Sequence, residues 1–180
     1  CQAQRPISAG LYAETGQSDS VANYPVTNIN YEDAKTYCSF VDKRLPTEAE
    51  WEMAARGSNE TAFPWGNENP DCTQANSLNP LNATACVGGI MPVGSYPAGS
   101  SSYGVMDMAG NVWEWVSDYH TDYSSSEEAN PYVDSFSAYR VKRGGSWIDC
   151  PVGVSIDVRS KGLPDHAITN LGFRISRTAY

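Results

Sequence analysis

The chain has 180 residues, a formal net charge of −9 and a pI of about 4.6. That length holds one domain with a sizeable core, and 41% hydrophobic with 11% aromatic residues exclude a disordered chain. The acidic balance argues against nucleic acid, whose phosphates need a basic patch, and against an anionic membrane surface; no apolar run is long enough to span a bilayer.

Residues 1–24 show no clear period. Cys1 reads either as a lipoprotein cysteine left after signal cleavage or as a fragment boundary. Asn30 with Asp33 three residues on is a capping-box variant. Ala34, Tyr37, Cys38 and Val41 then share one helical face, which makes Cys38 a core residue. Arg44-Leu45-Pro46 is an extended connector. Thr47 and Glu50 form a second capping box, opening a helix to about Arg56 with Trp51, Ala54 and Ala55 inward. Gly57 stops it.

From Phe63 to Gly89 the chain is loop-rich. Two sequons, Asn59-Glu60-Thr61 and Asn82-Ala83-Thr84, matter only in a glycosylating host. Cys72 and Cys86 flank one loop; a disulfide there would stabilise by roughly 3 kcal/mol and imply an oxidising compartment. Sequence leaves that pairing open. Met91 to Tyr96 reads as a short strand and Pro97 to Gly104 as a turn-rich loop. Val112 to Val116 alternates as a strand, with Trp113 and Trp115 on one face and Glu114 on the other. Ser124 to Ala138 is a polar surface excursion. Arg140 to Arg143 reads as a strand entering Gly144-Gly145, and Leu171 to Ser176 as a final strand. Residues 148–169 match neither period. No repeat or linker divides the chain, so 1–180 reads as a single domain.

Five blocks carry a resemblance: RLPTEAEWEMAARG (44–57), FPWGNE (63–68), YGVMDMAGNVWEWVSD (103–118), RVKRGGSW (140–147) and LGFRISR (171–177). Together, and in this order, they resemble the formylglycine-generating enzyme, or sulfatase-modifying factor, family. The resemblance implies an α+β, C-type lectin-like fold: two helices, short twisted antiparallel sheets and much irregular loop. Residues 1–24 match nothing in the family's N-terminal strands, which are absent or truncated on this reading.

The family's enzyme is a metal-dependent oxidase of sulfatase cysteines, using Cu(I) held by two thiolates, as a soft two-coordinate ion requires. Counting back three and eight places from Arg159 reaches Ile156 and Pro151, and Cys150 is the sole cysteine of the region. One thiol cannot make that site, so the expectation is that the chain is not an enzyme. A second branch makes sulfur–carbon bonds with a histidine-rich iron site; here only His120 and His166 occur, in unrelated loops. The resemblance also implies a structural Ca²⁺ site, with carboxylates from Asp107 and Glu114 and carbonyls from Gly110 and Val112, the mixed oxygen set a hard cation takes. The opposing reading has Asp107 capping a turn and Glu114 paired with an arginine. A second family calcium site, at Asn76 and the Ser77 carbonyl, lacks its acidic partner: no Asp or Glu lies between Ala83 and Met91.

Within 148–169 the family skeleton survives as Pro151, Arg159 and Pro164-Asp165. Between these lie Ile148, Asp149, Cys150, Val152, Gly153, Ser155, Asp157, Gly162, Leu163, His166, Ala167, Ile168 and Thr169. The mixture resembles the variable proteins of diversity-generating retroelements, in which template adenines are randomised and AAC codons become NNC. Such codons encode no Lys, Glu, Gln, Met or Trp, and all thirteen residues obey that limit. A lectin-like scaffold supports a loop-rich face whose side chains can change without touching the core. The reading is a non-enzymatic ligand-binding protein displaying 148–169, braced by Trp113, Trp115, Trp147 and Arg174. Its partner is a protein or glycan on another cell or particle, and its setting is extracellular, a cell surface or a virion surface. A structural oligomer subunit, whose apolar residues form an interface, is the remaining alternative; sequence leaves the oligomeric state open.

Overall fold

The computed structural model describes residues 22–79, 81, 83–123 and 129–178. Both capping boxes are present. Helix α1 (Tyr31–Phe40) opens with the Asn30 side chain accepting from the Asp33 amide at 2.9 Å. Helix α2 (Glu48–Arg56) opens with Thr47 and Glu50 exchanging hydrogen bonds of 3.1 and 2.9 Å. Arg44 clasps Glu50 with two contacts of 2.6 Å, which holds the Glu50 carboxyl below the usual carboxylate range. Gly57, at φ +68°, ends α2.

The sheet has four strands: β1 (Trp113–Tyr119), β2 (Arg140–Arg143), β3 (Arg159–Gly162) and β4 (Leu171–Phe173), in the order β3-β2-β1-β4. β1 pairs antiparallel with β2 (Glu114 opposite Arg143), and β2 with β3 (Arg140 opposite Gly162). β4 runs parallel to β1, with Trp113 opposite Leu171. The sheet is therefore mixed, which corrects the expectation of antiparallel pairing alone. After β3 the chain crosses from one edge of the sheet to the other, and that crossover delivers β4 in the direction of β1.

The alternation in β1 is as expected, but both of its faces are covered. Trp113 and Trp115 pack with Tyr31, Ala34, Cys38, Leu45, Leu171 and Phe173. Tyr31 meets Trp115 edge-on at 6.0 Å, and Tyr37 meets Phe173 at 5.7 Å. On the other face Val116 packs with Trp51, Ala55, Met108, Val141 and Ile156. So α1 covers one face and α2 the other, and β1 is buried from Trp113 to Val116. Burial pushes the Cys38 thiol up to about 11, which keeps it protonated and unreactive near neutral pH.

Three segments depart from the sequence reading. Met91 to Tyr96 is not a strand. Pro92 lacks a ladder donor, and the Asn111 side chain takes both backbone groups of Met91, at 2.8 and 3.0 Å. β3 is a strand the period does not announce, because Arg-Ser-Lys-Gly is polar and its partner lies on β2. The final strand stops at Phe173, after which Ser176 makes only an isolated bridge to Arg44. Cys72 and Cys86 form a disulfide with Cα atoms 5.4 Å apart, worth roughly 3 kcal/mol for a loop of this length.

One ion pair ties these layers together. Glu114 is 2% exposed. Its carboxylate accepts from Arg174 at 2.5 and 2.7 Å and from the Trp51 indole at 2.7 Å. Arg174→Leu leaves that carboxylate buried with the Trp51 indole as its remaining donor among the described residues. We expect a loss of about 3–5 kcal/mol in urea unfolding; a loss below about 1 kcal/mol would show that the pair is not a structural keystone.

Candidate ligand-binding face

Gly144 and Gly145, at φ +94° and +71°, turn the chain out of β2. Asp149 fixes the loop that follows. Its Oδ2 accepts from the Ser146 amide and hydroxyl at 2.9 and 2.6 Å and from the Trp113 indole at 3.0 Å. Its carbonyl accepts from Leu78 at 2.9 Å. Residues Pro151–Val154 then form a single 3-10 turn. Val154 and Ile156 are fully buried anchors, the first among Phe63, Ala75 and Ala109, the second against Trp51 and Met108.

The second loop, 163–170, is held from behind. Pro164 and Ile168 give their carbonyls to the amides of Tyr31 and Asn28, at 2.9 and 3.1 Å. Asn170 joins it to the first loop by donating to the Ser146 hydroxyl at 2.9 Å, and its carbonyl accepts from the Trp113 amide at 2.8 Å. Both loops thus converge on Trp113, and backbone bonds and buried residues carry the tethering.

Of the thirteen candidate positions, Ile148, Cys150, Val152, Asp157, Leu163, His166, Ala167, Ile168 and Thr169 are exposed. Among the apolar ones Val152 is 73% exposed, Ile148 49%, Ile168 39% and Leu163 37%. Gly153 and Ser155 are half-buried. Two positions do not fit a displayed role. Asp149 is the tie just described. Gly162 is buried beneath the Trp115 ring, and a Cβ there would lie 2.7 Å from it. Nor do all the exposed positions sit together. Asp157 is drawn toward α2 by Arg56 at 2.5 Å, and Leu163 follows the end of β3 opposite Arg140. Ile148, Cys150 and Val152, with residues 166–169, are the exposed positions on the two loops tied to Trp113 and form the candidate face.

The two positions reached by counting back three and eight places from Arg159 are both described. Ile156 is fully buried in an apolar cluster, and Pro151 opens the 3-10 turn. The free cysteines among the described residues are Cys38, in the core under α1, and Cys150, on the surface loop. His166 is exposed, while His120 is half-buried at the end of β1. Burial, then the nearby Arg159 and Lys161, lower the His120 pKa.

Three of the candidate calcium residues, Asp107, Gly110 and Val112, lie on the tight loop before β1 and Glu114 lies on β1 itself; Asp107, Gly110 and Asn111 are at positive φ. At Gly110 a Cβ would sit 2.4 Å from the Asn76 carbonyl, so glycine is required. Asp107 Oδ2 accepts from the Gly94 amide at 2.7 Å, and the Asp107 carbonyl from Arg174 at 3.2 Å. Both contacts of the opposing reading, a capped turn and a Glu114–arginine pair, are therefore present. The loop nonetheless has spare acceptors. Gly110 and Val112 are buried, and neither carbonyl receives a hydrogen bond among the described residues. Among the described residues Glu114 Oε1 accepts only from Arg174, which leaves a lone pair. That oxygen-rich donor set fits a hard cation, which would share Glu114 with the guanidinium. Asn76 Oδ1 is likewise buried without a partner.

One concavity was invisible to the sequence reading: a groove between α2 and the β1–β2 connection. It needs Glu48, Glu52, Asp122 and Asp134 together, residues up to 86 positions apart that no local period links.

The sulfatase-modifying factor enzyme 1-like domain matches residues 7–179. The chain is 40% identical over 166 residues to the formylglycine-generating enzyme of Mus musculus, covering 85% of this chain and 44% of that one. It is 37% identical over 170 residues to the inactive Cα-formylglycine-generating enzyme 2 of Bos taurus, covering 87% and 51%. The chain thus spans about half the length of these curated relatives. Among solved structures, the Treponema denticola variable protein 1 superposes with a TM-score of 0.73 at 22% identity, covering 86% of this chain and 71% of that one; that likeness is one of fold. By its domain match and its relatives, this chain belongs to the formylglycine-generating enzyme, or sulfatase-modifying factor, family.

Proposed function

We propose that this chain is a non-enzymatic ligand-binding protein, a variable protein of the diversity-generating retroelement type, whose displayed face is Ile148, Cys150 and Val152 with residues 166–169. One observation carries the reading. At the positions the resemblance implies for the family's two thiols, this chain has Pro151 and a fully buried Ile156, while apolar side chains in the same interval, Val152 and Ile148, face solvent. Exposed aliphatics on loops whose backbone is tied down are costly on an idle surface and useful in a contact patch. The partner is a protein or glycan on another cell or particle, met outside the cell or at a cell or virion surface. The disulfide fits that oxidising setting.

The competing reading, a metal-dependent oxidase of sulfatase cysteines, is favoured by the 40% identity to a formylglycine-generating enzyme. Against it stands the thiol count, and a bovine relative of nearly the same identity is itself named inactive. Both are tested with the intact chain. Supplied with Cu(I) and a sulfatase-derived cysteine peptide, it should leave the peptide unoxidised by mass spectrometry; conversion to the aldehyde sinks the proposal. Separately, the combined variant Ile148→Ser, Val152→Ser, His166→Ser, Ile168→Ser and Thr169→Ser should unfold within about 1 kcal/mol of the parent, as exposed positions do. Ile156→Ser alone should cost about 3 kcal/mol or more. Equal losses in the two proteins would mean that the face is core.

Calcium enters as a structural ion. Asp107, Glu114 and the Gly110 and Val112 carbonyls would hold it, neutralising the carboxylates and closing the loop before β1. With a Kd of roughly 0.1–1 mM, typical of extracellular modules, about 10 mM Ca²⁺ should stabilise the fold by about 1.4–2.7 kcal/mol relative to EGTA. Asp107→Asn should reduce that gain. Identical unfolding curves in Ca²⁺ and EGTA would remove the ion from the account.

A further inference from the structure

Away from the displayed loops, the outer side of α2 and the β1–β2 connection enclose a groove of about 650 Å³, within the usual range for ligand sites. Its walls are built. Asp118, 2% exposed, accepts from the Glu48 amide at 2.7 Å and from the Val133 amide at 3.1 Å. The Tyr119 amide donates to the Val133 carbonyl at 3.0 Å. Asp118, Tyr119 and Val133 are thereby pinned together at the start of α2. Tyr123 donates to Glu48 at 3.1 Å, and Arg159 bonds both Glu48 and the Thr121 carbonyl.

The Glu48 and Glu52 carboxylates inside this groove are already paired, and Asp118 is held by backbone amides. Glu48 faces Arg159 at 2.9 Å and Arg143 at 3.2 Å. Glu52 faces Arg143 at 2.7 Å and Arg56 at 3.3 Å, and Arg56 also holds Asp157. The rim is different. Asp122 and Asp134 are exposed, line the groove, and have no ion pair or hydrogen bond with any described residue. Beside them Met53 and Tyr132 are 55% and 52% exposed, and Val133 is half-buried. Two unpaired carboxylates beside an apolar wall suit a cation carried on an aliphatic stem. The chain's net charge of −9 favours its approach. An anion would meet Asp122 and Asp134 first, and the arginines behind them are already engaged.

We infer that this groove receives a basic side chain, arginine or lysine, of a polypeptide partner. The stem lies on Met53, Tyr132 and Val133, and the head lies between Asp122 and Asp134. The site is independent of the displayed face.

The test is a ¹⁵N chemical-shift titration of the full chain with the capped peptide acetyl-Gly-Arg-Gly-amide, its Glu counterpart and n-butylguanidinium. The expected result is saturable shifts at Met53, Val133 and Asp134 with the Arg peptide, a Kd on the order of millimolar, and still resonances at 148–152 and 166–169. The double variant Asp122→Asn, Asp134→Asn alters two exposed positions and should keep the parent spectrum elsewhere while weakening binding at least fivefold. Equal binding of the Glu peptide, no saturable shifts, or an unchanged Kd in the double variant overturns the inference. Binding of n-butylguanidinium without the peptide overturns the polypeptide assignment.

Discussion

The buried Glu114–Arg174 pair is the constraint on which the architecture turns. Glu114 lies on the central strand and Arg174 directly after β4, 60 residues on. Trp51 reaches the same carboxylate from α2, and Arg174 also takes the Asp107 carbonyl. One carboxylate therefore joins the second helix, the central strand, the C-terminal segment and the loop before β1. A buried charge pair is weak evidence for stability against an apolar replacement, but losing either partner is costly. That asymmetry makes the pair a register device: β4 cannot slip against β1 without stranding a charge.

Rigidity of this kind is what frees the loops. Between β2 and β4 the chain is anchored by Val154, Ile156, Asp149 and Gly162, and by backbone bonds to residues 28 and 31. None of these anchors uses the side chains of Ile148, Val152, His166 or Ile168. Those side chains can vary without disturbing the fold. The interval 148–169 is apolar anchor on one side and exposed mixture on the other.

The legible features were the local ones. Both helices were readable because a capping box is complete within four residues, as at Asn30–Asp33 and Thr47–Glu50. Trp113, Glu114 and Trp115 announced β1 because alternation is local too. What the sequence hid was set by distant partners. Asp149 looked like a displayed acid because its indole partner, Trp113, is 36 residues away. Gly162 looked like loop because the ring above it belongs to Trp115. Met91 looked like strand because its bonds go to a side chain, Asn111, 20 residues on. The parallel placement of β4 follows from a crossover that no residue in β4 encodes.

If the loops display a variable face, exposure and not sequence position decides which residues of 148–169 are free to differ. Sequencing this gene and its flanks across many isolates measures that directly. The expected result is a neighbouring reverse transcriptase, a near-repeat differing at adenines, and substitutions concentrated at Ile148, Val152, His166, Ile168 and Thr169. Asp149, Ile156 and Gly162 should stay constant. Uniform variation across 148–169, or a locus with neither reverse transcriptase nor repeat, would contradict it.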